Sequence, residues 1–327
     1  MNKPKVQQQG VALIIVLMIV AIVSVLATEM GSRLQLQIKR SSNIKDNNQA
    51  YWYAMSAEQY ARKSLKDLMQ DSGANTIYLD QMWNQEFVYP IEGGGIQAQL
   101  VDMQSCFNLN ALRVPAGGAN SQLEDRKKAF EALLDSVDGD IPTYNRDLIR
   151  DSLVDWLDDN DQPTDVGAED SEYESRQFPY LAANNFMVHK SELRLIHGIE
   201  VQWLEKLLEL VCVIPNDNLF IINVNTVSQE NAAIIAAATG LSLADAKSVL
   251  SNRSLDGYAQ VANFLAEPSI KALSLTKTQE DWFDVTTSYF ILHTKTKYND
   301  ATFAMQSLLK IGNDKKVSVI RRDFSGF

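Results

Sequence analysis

The sequence predicts an α+β protein in which one long N-terminal helix packs on an antiparallel sheet and a large all-α domain is inserted into this unit. A helical pattern without proline runs from residue 11 to about residue 71. Three β-rich segments separated by turn residues follow Trp282. A stretch of roughly 170 residues with helical spacing of its apolar side chains separates the first strand from these segments.

An unbroken apolar run, residues 11–27, follows a short leader that ends at Gly10. It contains one hydroxyl group and no charge, and its length is near the lower limit of ~17 residues for crossing a bilayer. Two lysines and no acidic residue precede it, which predicts a cytoplasmic N-terminus and a translocated body. Two fates are open: removal by signal peptidase after Ala27, or retention after a cut between Gly10 and Val11.

The helical pattern continues beyond the apolar run and becomes amphipathic. Small and apolar residues recur at steps of three and four on one face: Ala50, Ala54, Ala57, Ala61, Leu65 and Leu68. Because alanines let a helix lie close against a sheet, this face is predicted to contact the sheet. At 1.5 Å per residue the helix would be ~90 Å long. Half of it is therefore expected to project from the body.

The strands divide the chain into predicted domains. The segment "IQAQLVDM", residues 96–103, alternates apolar and polar side chains and predicts a first strand after the helix. Hairpin turns at residues 299–300 and 312–314 predict an antiparallel meander at the C-terminus. The predicted division is a leader at 1–10, the N-terminal helix and first strands at 11–110, the inserted helical domain at 111–281, and the completing strands at 282–327.

Composition limits the function classes. The chain has 327 residues and a net charge of −11, which argues against nucleic-acid binding because phosphate affinity comes mainly from clustered Lys and Arg. Its only cysteines, Cys106 and Cys212, exclude a disulfide-dense scaffold and a four-cysteine zinc site. Cys106 comes just before the predicted inserted domain, residues 111–281, and Cys212 lies within it. Translocation to an oxidising compartment would favour a bridge between them.

The densest group of charged residues is "DWLDDNDQPTDVGAEDSEYES", which holds nine acidic residues and no Lys or Arg. A solvated acidic loop and a binding site for a hard cation such as calcium, which takes six to eight oxygen ligands, are both open interpretations. The glycine and glutamate spacing does not fit an EF-hand. The candidate ligands are Asp158, Asp159, Asp161, Asp165, Glu169 and Asp170.

Catalytic signatures are absent from the sequence. It contains no H-E-x-x-H, G-x-S-x-G, Walker A or G-x-G-x-x-G pattern. Its three histidines, His189, His197 and His293, are expected to be capping or surface groups. Two stretches resemble helix-hairpin-helix units, but their acidic residues would face phosphate, so packing is the favoured interpretation. The asparagines of "FNLN" and "INVN" are expected to join the two domains.

Several stretches, in order along nearly the whole chain, carry a resemblance to one family. They are "GVALIIVLMIVAI", "FNLNAL", "DWLDDNDQPTDVGAEDSEY", "PYLAANNFMVHKSELRLIHGI" and "INVNTV". The leader that ends in glycine resembles those of type IV pilins and pseudopilins. The full series resembles the general secretion pathway protein K family, the minor pseudopilins of type II secretion. Ile15 stands where major pilins carry a glutamate, the fifth residue after the cut, as in the K-type proteins.

This resemblance implies a pilin-like fold and a noncatalytic role in protein transport. It implies that prepilin peptidase cuts between Gly10 and Val11, with methylation of the new terminus, and that the chain stays in the inner membrane with its body in the periplasm. It implies a tip position on the pseudopilus, where the chain initiates assembly with minor pseudopilins I and J, and bound calcium in the inserted domain. The alternatives are a minor pilin of a DNA-uptake or adhesive pilus and a membrane-anchored periplasmic hydrolase that uses the acidic loop.

Overall fold

The structure is a computed structural model that describes residues 9–70, 76–113, 120–137 and 141–324. The first eight residues of the predicted leader lie outside the described residues. The strands are β1 (Phe87–Ile91), β2 (Gly94–Asp102), β3 (Phe107–Asn108), β4 (Val211–Cys212), β5 (Ile222–Asn223), β6 (Phe283–Asp284), β7 (Tyr289–Tyr298), β8 (Ala301–Ile311) and β9 (Val317–Asp323). The α-helices are α1 (Gln9–Gln70), α2 (Asn120–Asp135), α3 (Thr143–Leu157), α4 (Asp170–Glu174), α5 (Val201–Leu210), α6 (Ala233–Thr239), α7 (Leu243–Asn252), α8 (Val261–Leu265), α9 (Pro268–Lys271) and α10 (Lys277–Glu280).

Helix α1 confirms the predicted long helix and spans 62 residues. Its N-terminal part is exposed on all sides, and its most apolar window has a mean hydropathy of 3.1. Among the described residues, α1 is the only unbroken helix that is long and apolar enough to cross a membrane. It therefore fits a single-pass anchor.

The main sheet has five strands in the order β1-β2-β7-β8-β9, and all neighbours are antiparallel. The meander of β7, β8 and β9 confirms the hairpin prediction, with Asn299 at a φ of 50° in the two-residue turn between β7 and β8. Strand β1 was not predicted. It contains Pro90, which an edge strand tolerates because the strand has no neighbour on one side.

The C-terminal half of α1 packs on one face of this sheet. Its predicted alanine face is buried from Ala50 to Leu65, and Leu65 shares a core with Phe290 and Leu309. Of the two buried charged residues of α1, Asp46 and Glu58, Glu58 is the more deeply buried in this contact. Its carboxylate accepts hydrogen bonds from the Arg322 guanidinium at 2.6 and 2.8 Å and one from the Ser307 hydroxyl at 2.7 Å, so the charge is compensated.

The inserted domain is mostly helical and has its own large core. This core reaches beyond residues 111–281 on both sides, since Phe107 and Val285 belong to it. Two short parallel strand pairs connect the beginning and the end of this domain to its interior. Strand β3, at the beginning, pairs with β4, and strand β6, at the end, pairs with β5. The chain's exit from the sheet and its return lie next to each other, since Asp102 pairs with Phe290 and the Met103 N–H donates to the Tyr289 carbonyl at 2.9 Å.

The register of the sheet places the inserted domain at the end away from the apolar N-terminal part of α1. Thr296, near the end of β7, donates its hydroxyl to the Ala50 carbonyl at 2.8 Å, so this end of the sheet faces the earlier part of α1. The inserted domain leaves after Asp102, which pairs with Phe290 at the opposite end of β7. The domain therefore extends the molecule beyond the C-terminal half of α1.

Two predicted helix signals in the inserted domain are confirmed and one is wrong. Gly240 ends α6 with a φ of 82°, and the Ser242 side chain caps α7 by accepting the Asp245 N–H. Thr226 was expected to begin a helix through a capping box with Gln229. The helix begins at Ala233, because the Thr226 hydroxyl instead donates to the buried Asp102 carboxylate at 2.6 Å.

Candidate functional site in the acidic loop of the inserted domain

The acidic loop, residues 155–174, starts in the last turn of α3 and ends in α4. The buried face of α3 holds Asp155 inside the domain, and Ala168 and Glu169 bring the returning chain back into contact with it. Residues 158–166 between these points are mostly exposed. The loop thus combines a buried acidic floor, formed by Asp155 and Glu169, with an exposed acidic rim at residues 158–166.

Asp155 is fully buried, and its two carboxylate oxygens differ. Oδ1 accepts the Thr164 N–H at 2.9 Å, whereas Oδ2 has no hydrogen-bond partner. A Cβ on Gly167 would lie 2.0 Å from Oδ2, so only glycine allows the loop to approach this oxygen. Burial raises the pKa of Asp155 to about 6, and repulsion from Asp158 and Asp151 adds to the effect.

Glu169 is 4% exposed, and both of its carboxylate oxygens lack a hydrogen-bond partner. Burial raises the pKa of Glu169 to about 7, and repulsion from Asp155, Asp158, Asp170 and Asp161 acts in the same direction. A buried carboxylate without a hydrogen-bond partner lowers the free energy of unfolding. Glu169 and Asp155 together therefore supply three buried oxygens that a cation would stabilise.

The predicted ligands occupy different places in this arrangement. Asp158 accepts the Asn160 N–H at 3.0 Å, Asp161 accepts from the Asn184 amide at 2.9 Å, and Asp170 accepts the Ala182 N–H at 2.8 Å. Asp159 and Asp165 are exposed. Asp158, Asp161 and Asp170 lie close enough to Glu169 for their charges to raise its pKa, although Asp161 is exposed like Asp159 and Asp165.

Asp155 was not among the predicted ligands, although it is the most deeply buried acid of the loop. The sequence feature that indicates its burial is its position between Val154 and Trp156 in the apolar end of α3. A carboxylate is almost never fully buried unless it is paired, so such a position indicates a specific role. Within the described ranges, no three or more His, Cys, Asp or Glu side chains stand in an arrangement that could hold a metal ion. The orphaned oxygens of Asp155 and Glu169 nevertheless fit the ligand chemistry of calcium.

Two of the three histidines, His189 and His293, line one pocket, whereas His197 does not belong to it. The His189 ring caps a short 3-10 helix by accepting the Ser191 N–H at 3.1 Å, and burial lowers its pKa. The His197 Nδ1 atom lies 3.1 Å from Glu172 Oε1. His293 is half-buried on β7, where burial lowers its pKa.

The junction of the two domains depends on buried asparagines and one buried aspartate. The Asn108 amide donates to the carbonyls of Asp217 and Leu219 at 3.0 and 3.2 Å. The Asn223 amide donates to the Ile77 carbonyl at 3.1 Å and to Asp102 at 3.0 Å. These contacts agree with the predicted joining role of both asparagine motifs. Asp102, whose pKa is raised by burial, was not identified from the sequence.

The two cysteines lie at the same junction. Cys106 and Cys212 form a disulfide bond with a Cα–Cα distance of 5.7 Å. Cys212 follows Val211 in β4, which pairs with β3 directly after Cys106. The bond therefore joins the exit from the sheet to the end of α5.

Comparisons with known proteins agree with this architecture. Two family profiles described as type II secretion system protein K match residues 105–216 and 222–286. Type II secretion system protein K of Aeromonas hydrophila is 34% identical over 97% of both chains, and the protein of that name from Klebsiella pneumoniae is 33% identical over 93% of both. The crystal structure of the GspK-GspI-GspJ complex of the enterotoxigenic Escherichia coli type 2 secretion system contains a chain that matches with a TM-score of 0.78 and 29% identity. The match covers 88% of this chain and all of that one.

Proposed function

Since the chain belongs to the family of type II secretion system protein K, we propose that it is a minor pseudopilin at the tip of the periplasmic pseudopilus. There it initiates assembly of the fibre and supports export of folded proteins across the outer membrane. The observation that carries this proposal is the location of the inserted domain beyond the end of the sheet that faces away from the membrane segment of α1.

The bulk of the inserted domain restricts where the subunit fits in a fibre. Pilin-like subunits stack through their long helices, so a copy placed ahead would meet the domain that extends beyond α1. Ile15 adds a second restriction, because the glutamate found there in major pilins is thought to neutralise the N-terminal amine of the subunit ahead, and isoleucine cannot. Both features favour a subunit that has no neighbour ahead of it.

The partners of this subunit are the minor pseudopilins I and J. This follows from the similarity to a chain in the solved GspK-GspI-GspJ complex.

Prepilin peptidase cuts the chain between Gly10 and Val11, and α1 keeps it in the inner membrane with the body in the periplasm. The chain has no catalytic activity. Its inserted domain, residues 111–281, contains 28 acidic and 14 basic residues, a net charge of −14 that disfavours a DNA-uptake role.

Calcium is the cofactor of the acidic loop. The buried floor of Asp155 and Glu169 would hold the ion, with Asp158, Asp161 and Asp170 as further oxygen donors. Bound calcium would supply positive charge that allows these carboxylates to stay ionised at neutral pH. In this role the ion orders the loop and takes no part in a reaction.

The full-length chain, mixed in detergent with the I and J pseudopilins of its own secretion system, tests the function. The expected result is a stable complex of all three proteins, and restored export of a secreted protein when the gene is returned to a deletion strain. Ready self-polymerisation of the chain into fibres without I and J would contradict the tip role.

A further inference from the structure

A cleft with a volume of about 450 Å³ lies between the sheet and the inserted domain. Val101, Ile291 and His293, from strands β2 and β7, line one side of it. His189 and Lys190, from the inserted domain, line the other side. We call this space the domain cleft. Ligand sites are typically clefts of ~300–1,000 Å³ at domain interfaces, so its size and its place are those of a binding site.

The domain cleft lies on the face of the sheet that is opposite to α1. Leu100 and Leu292 belong to the core between α1 and the sheet. Successive side chains of a strand point to opposite faces, so their neighbours Val101 and Ile291 face away from α1. The acidic loop, residues 155–174, is described throughout, and none of its residues lines the cleft. The cleft is therefore separate from both α1 and the candidate calcium site.

Basic side chains outnumber acidic ones in the lining of the domain cleft. Two histidines and two permanent cations line it: His189, Lys190, His293 and Arg321. The acidic residues of the lining are Asp102 and Glu209. The Asp102 carboxylate is already occupied, because it accepts hydrogen bonds of 2.6 to 3.0 Å from Gln104, Thr226 and Asn223 in the domain junction. Glu209 is exposed, so solvent screens its charge.

Both permanent cations of the cleft keep N–H groups for a ligand. The Lys190 ammonium has three N–H donors, and one of them donates to the Leu208 carbonyl at 3.0 Å. The Arg321 guanidinium donates from Nε to the Asp323 carboxylate at 2.9 Å and from Nη1 to the Val188 carbonyl. Across the part of the chain that the structure describes, the other N–H groups of Lys190 and the Nη2 group of Arg321 have no acceptor. Carboxylates form strong, short hydrogen bonds with such charged donors.

The pKa shifts of the two histidines agree with an excess of positive charge in the cleft. Burial lowers the pKa of His189, and the charge of Arg321 acts in the same direction, while nearby carboxylates offset only part of the effect. Burial also lowers the pKa of His293, and the charge of Lys190 adds to this. An anion bound between these groups would favour their charged forms.

We propose that the domain cleft binds a small organic carboxylate that carries an apolar group. The carboxylate accepts hydrogen bonds from Lys190 and Arg321, and the apolar group packs against Val101, Ile291 and Leu208, which also line the cleft. The assignment involves neither the partner pseudopilins nor calcium. It therefore goes beyond the proposed function and does not depend on it.

A metal ion fits the domain cleft less well than an anion, although two histidines line it. Within the described ranges, no three or more His, Cys, Asp or Glu side chains are arranged to hold a metal ion. Cys106 and Cys212 also line the cleft, but they are bonded to each other and offer no thiolate ligand. The charges of Lys190 and Arg321 would repel a cation.

Isothermal titration calorimetry of the full-length chain in detergent tests this assignment, with N-acetyl-leucinate as the probe. N-acetyl-leucinamide is the matched neutral probe, because it keeps the apolar group and lacks the carboxylate. The cleft variants are Lys190→Gln, which removes a charged donor, and Val101→Trp, which fills the apolar side. Their controls are Lys247→Gln, at an exposed lysine of α7, and Gln97→Trp, on the same face of β2 outside the cleft. Melting temperatures of all variants verify folding.

The parent chain is expected to bind the carboxylate at least about tenfold more tightly than the neutral probe. Each cleft variant should weaken this binding by at least about tenfold, while the controls stay within about twofold of the parent chain. No binding of the carboxylate, equal affinity for both probes, or parent-like affinity of both cleft variants would overturn the assignment. Displacement of the carboxylate by zinc would assign the histidines to a metal ion and would overturn it as well.

A longer peptide that ends in the same leucine identifies the source of the carboxylate. Tighter binding of this peptide than of N-acetyl-leucinate would support the cleft as a site for a peptide terminus. Equal binding would support it as a site for a free small carboxylate. Binding of I and J is measured separately, so a failure there contradicts the proposed function and leaves the cleft assignment standing.

Discussion

Removal of calcium at pH 8 is expected to destabilise the inserted domain. In the metal-free protein, Asp155 and Glu169 leave three buried carboxylate oxygens without donors. Their folded pKa values, about 6 and about 7, lie above the ordinary values of 3.8 and 4.5. The stability that protonation of these groups provides is therefore complete below pH 4 and is lost as the pH rises through 6 to 7.

The size of this loss follows from the pKa of Asp155. The difference between 3.8 and about 6 corresponds to roughly 3 kcal/mol of folding free energy at high pH. Glu169 adds to it, although the two carboxyls repel one another and titrate as a coupled pair. Calcium at one hundred times its dissociation constant would restore about 2.7 kcal/mol. For a domain of this size that is a rise of about 6–10 °C in melting temperature.

Differential scanning calorimetry in chelator and in millimolar calcium, at pH 5 and pH 8, measures this effect. The calcium-dependent rise should be larger at pH 8. Glu169→Gln should raise the metal-free melting temperature at pH 8 and remove most of the calcium response. Glu174→Gln, a matched change of an exposed acid in α4, should alter neither. Equal melting temperatures in chelator and calcium at pH 8 would refute the reasoning and favour a solvated loop.

Three further outcomes are expected. N-terminal sequencing of membrane-extracted protein should give a mature terminus at Val11, and a terminus produced by signal peptidase beyond the apolar run would contradict the pilin-type anchor. Replacing Cys106 and Cys212 by serine should lower the free energy of unfolding by about 4 kcal/mol, because the bond closes a loop of 106 residues; an unchanged denaturant midpoint would exclude this contribution. Glu58→Gln should cost about 3 kcal/mol by breaking a buried pair with Arg322, and urea unfolding that matches the parent chain would show that the pair contributes nothing.

Elements with strong local signals were predictable from the sequence. The apolar run, the absence of proline and the alanine face defined α1 to within a few residues, and the Asn299 turn defined the β7–β8 hairpin. Strand β1 was missed because Pro90 interrupts its pattern, and only its place at the sheet edge makes proline acceptable. The two-residue parallel pairs β3–β4 and β5–β6 exist only through tertiary contacts, so no local pattern could predict them.

The calcium site stays a prediction. Clustered acidic residues drew attention to this loop, but their spacing could not distinguish the exposed Asp159 and Asp165 from the buried Glu169. Asp155 was overlooked because its burial depends on the packing of α3, and Thr226 was misjudged because a buried Asp102 more than a hundred residues away competes for its hydroxyl. Both errors arise where tertiary contacts override a local pattern.

The position of this subunit on the pseudopilus is the central claim, and labelling of assembled fibres measures it most directly. Gold-conjugated antibody against the inserted domain, residues 111–281, can be applied to pseudopili sheared from cells and viewed by electron microscopy. One label at a single end of each fibre is expected, because the domain beyond the sheet leaves no room for a copy ahead. Label distributed along the shaft would contradict it.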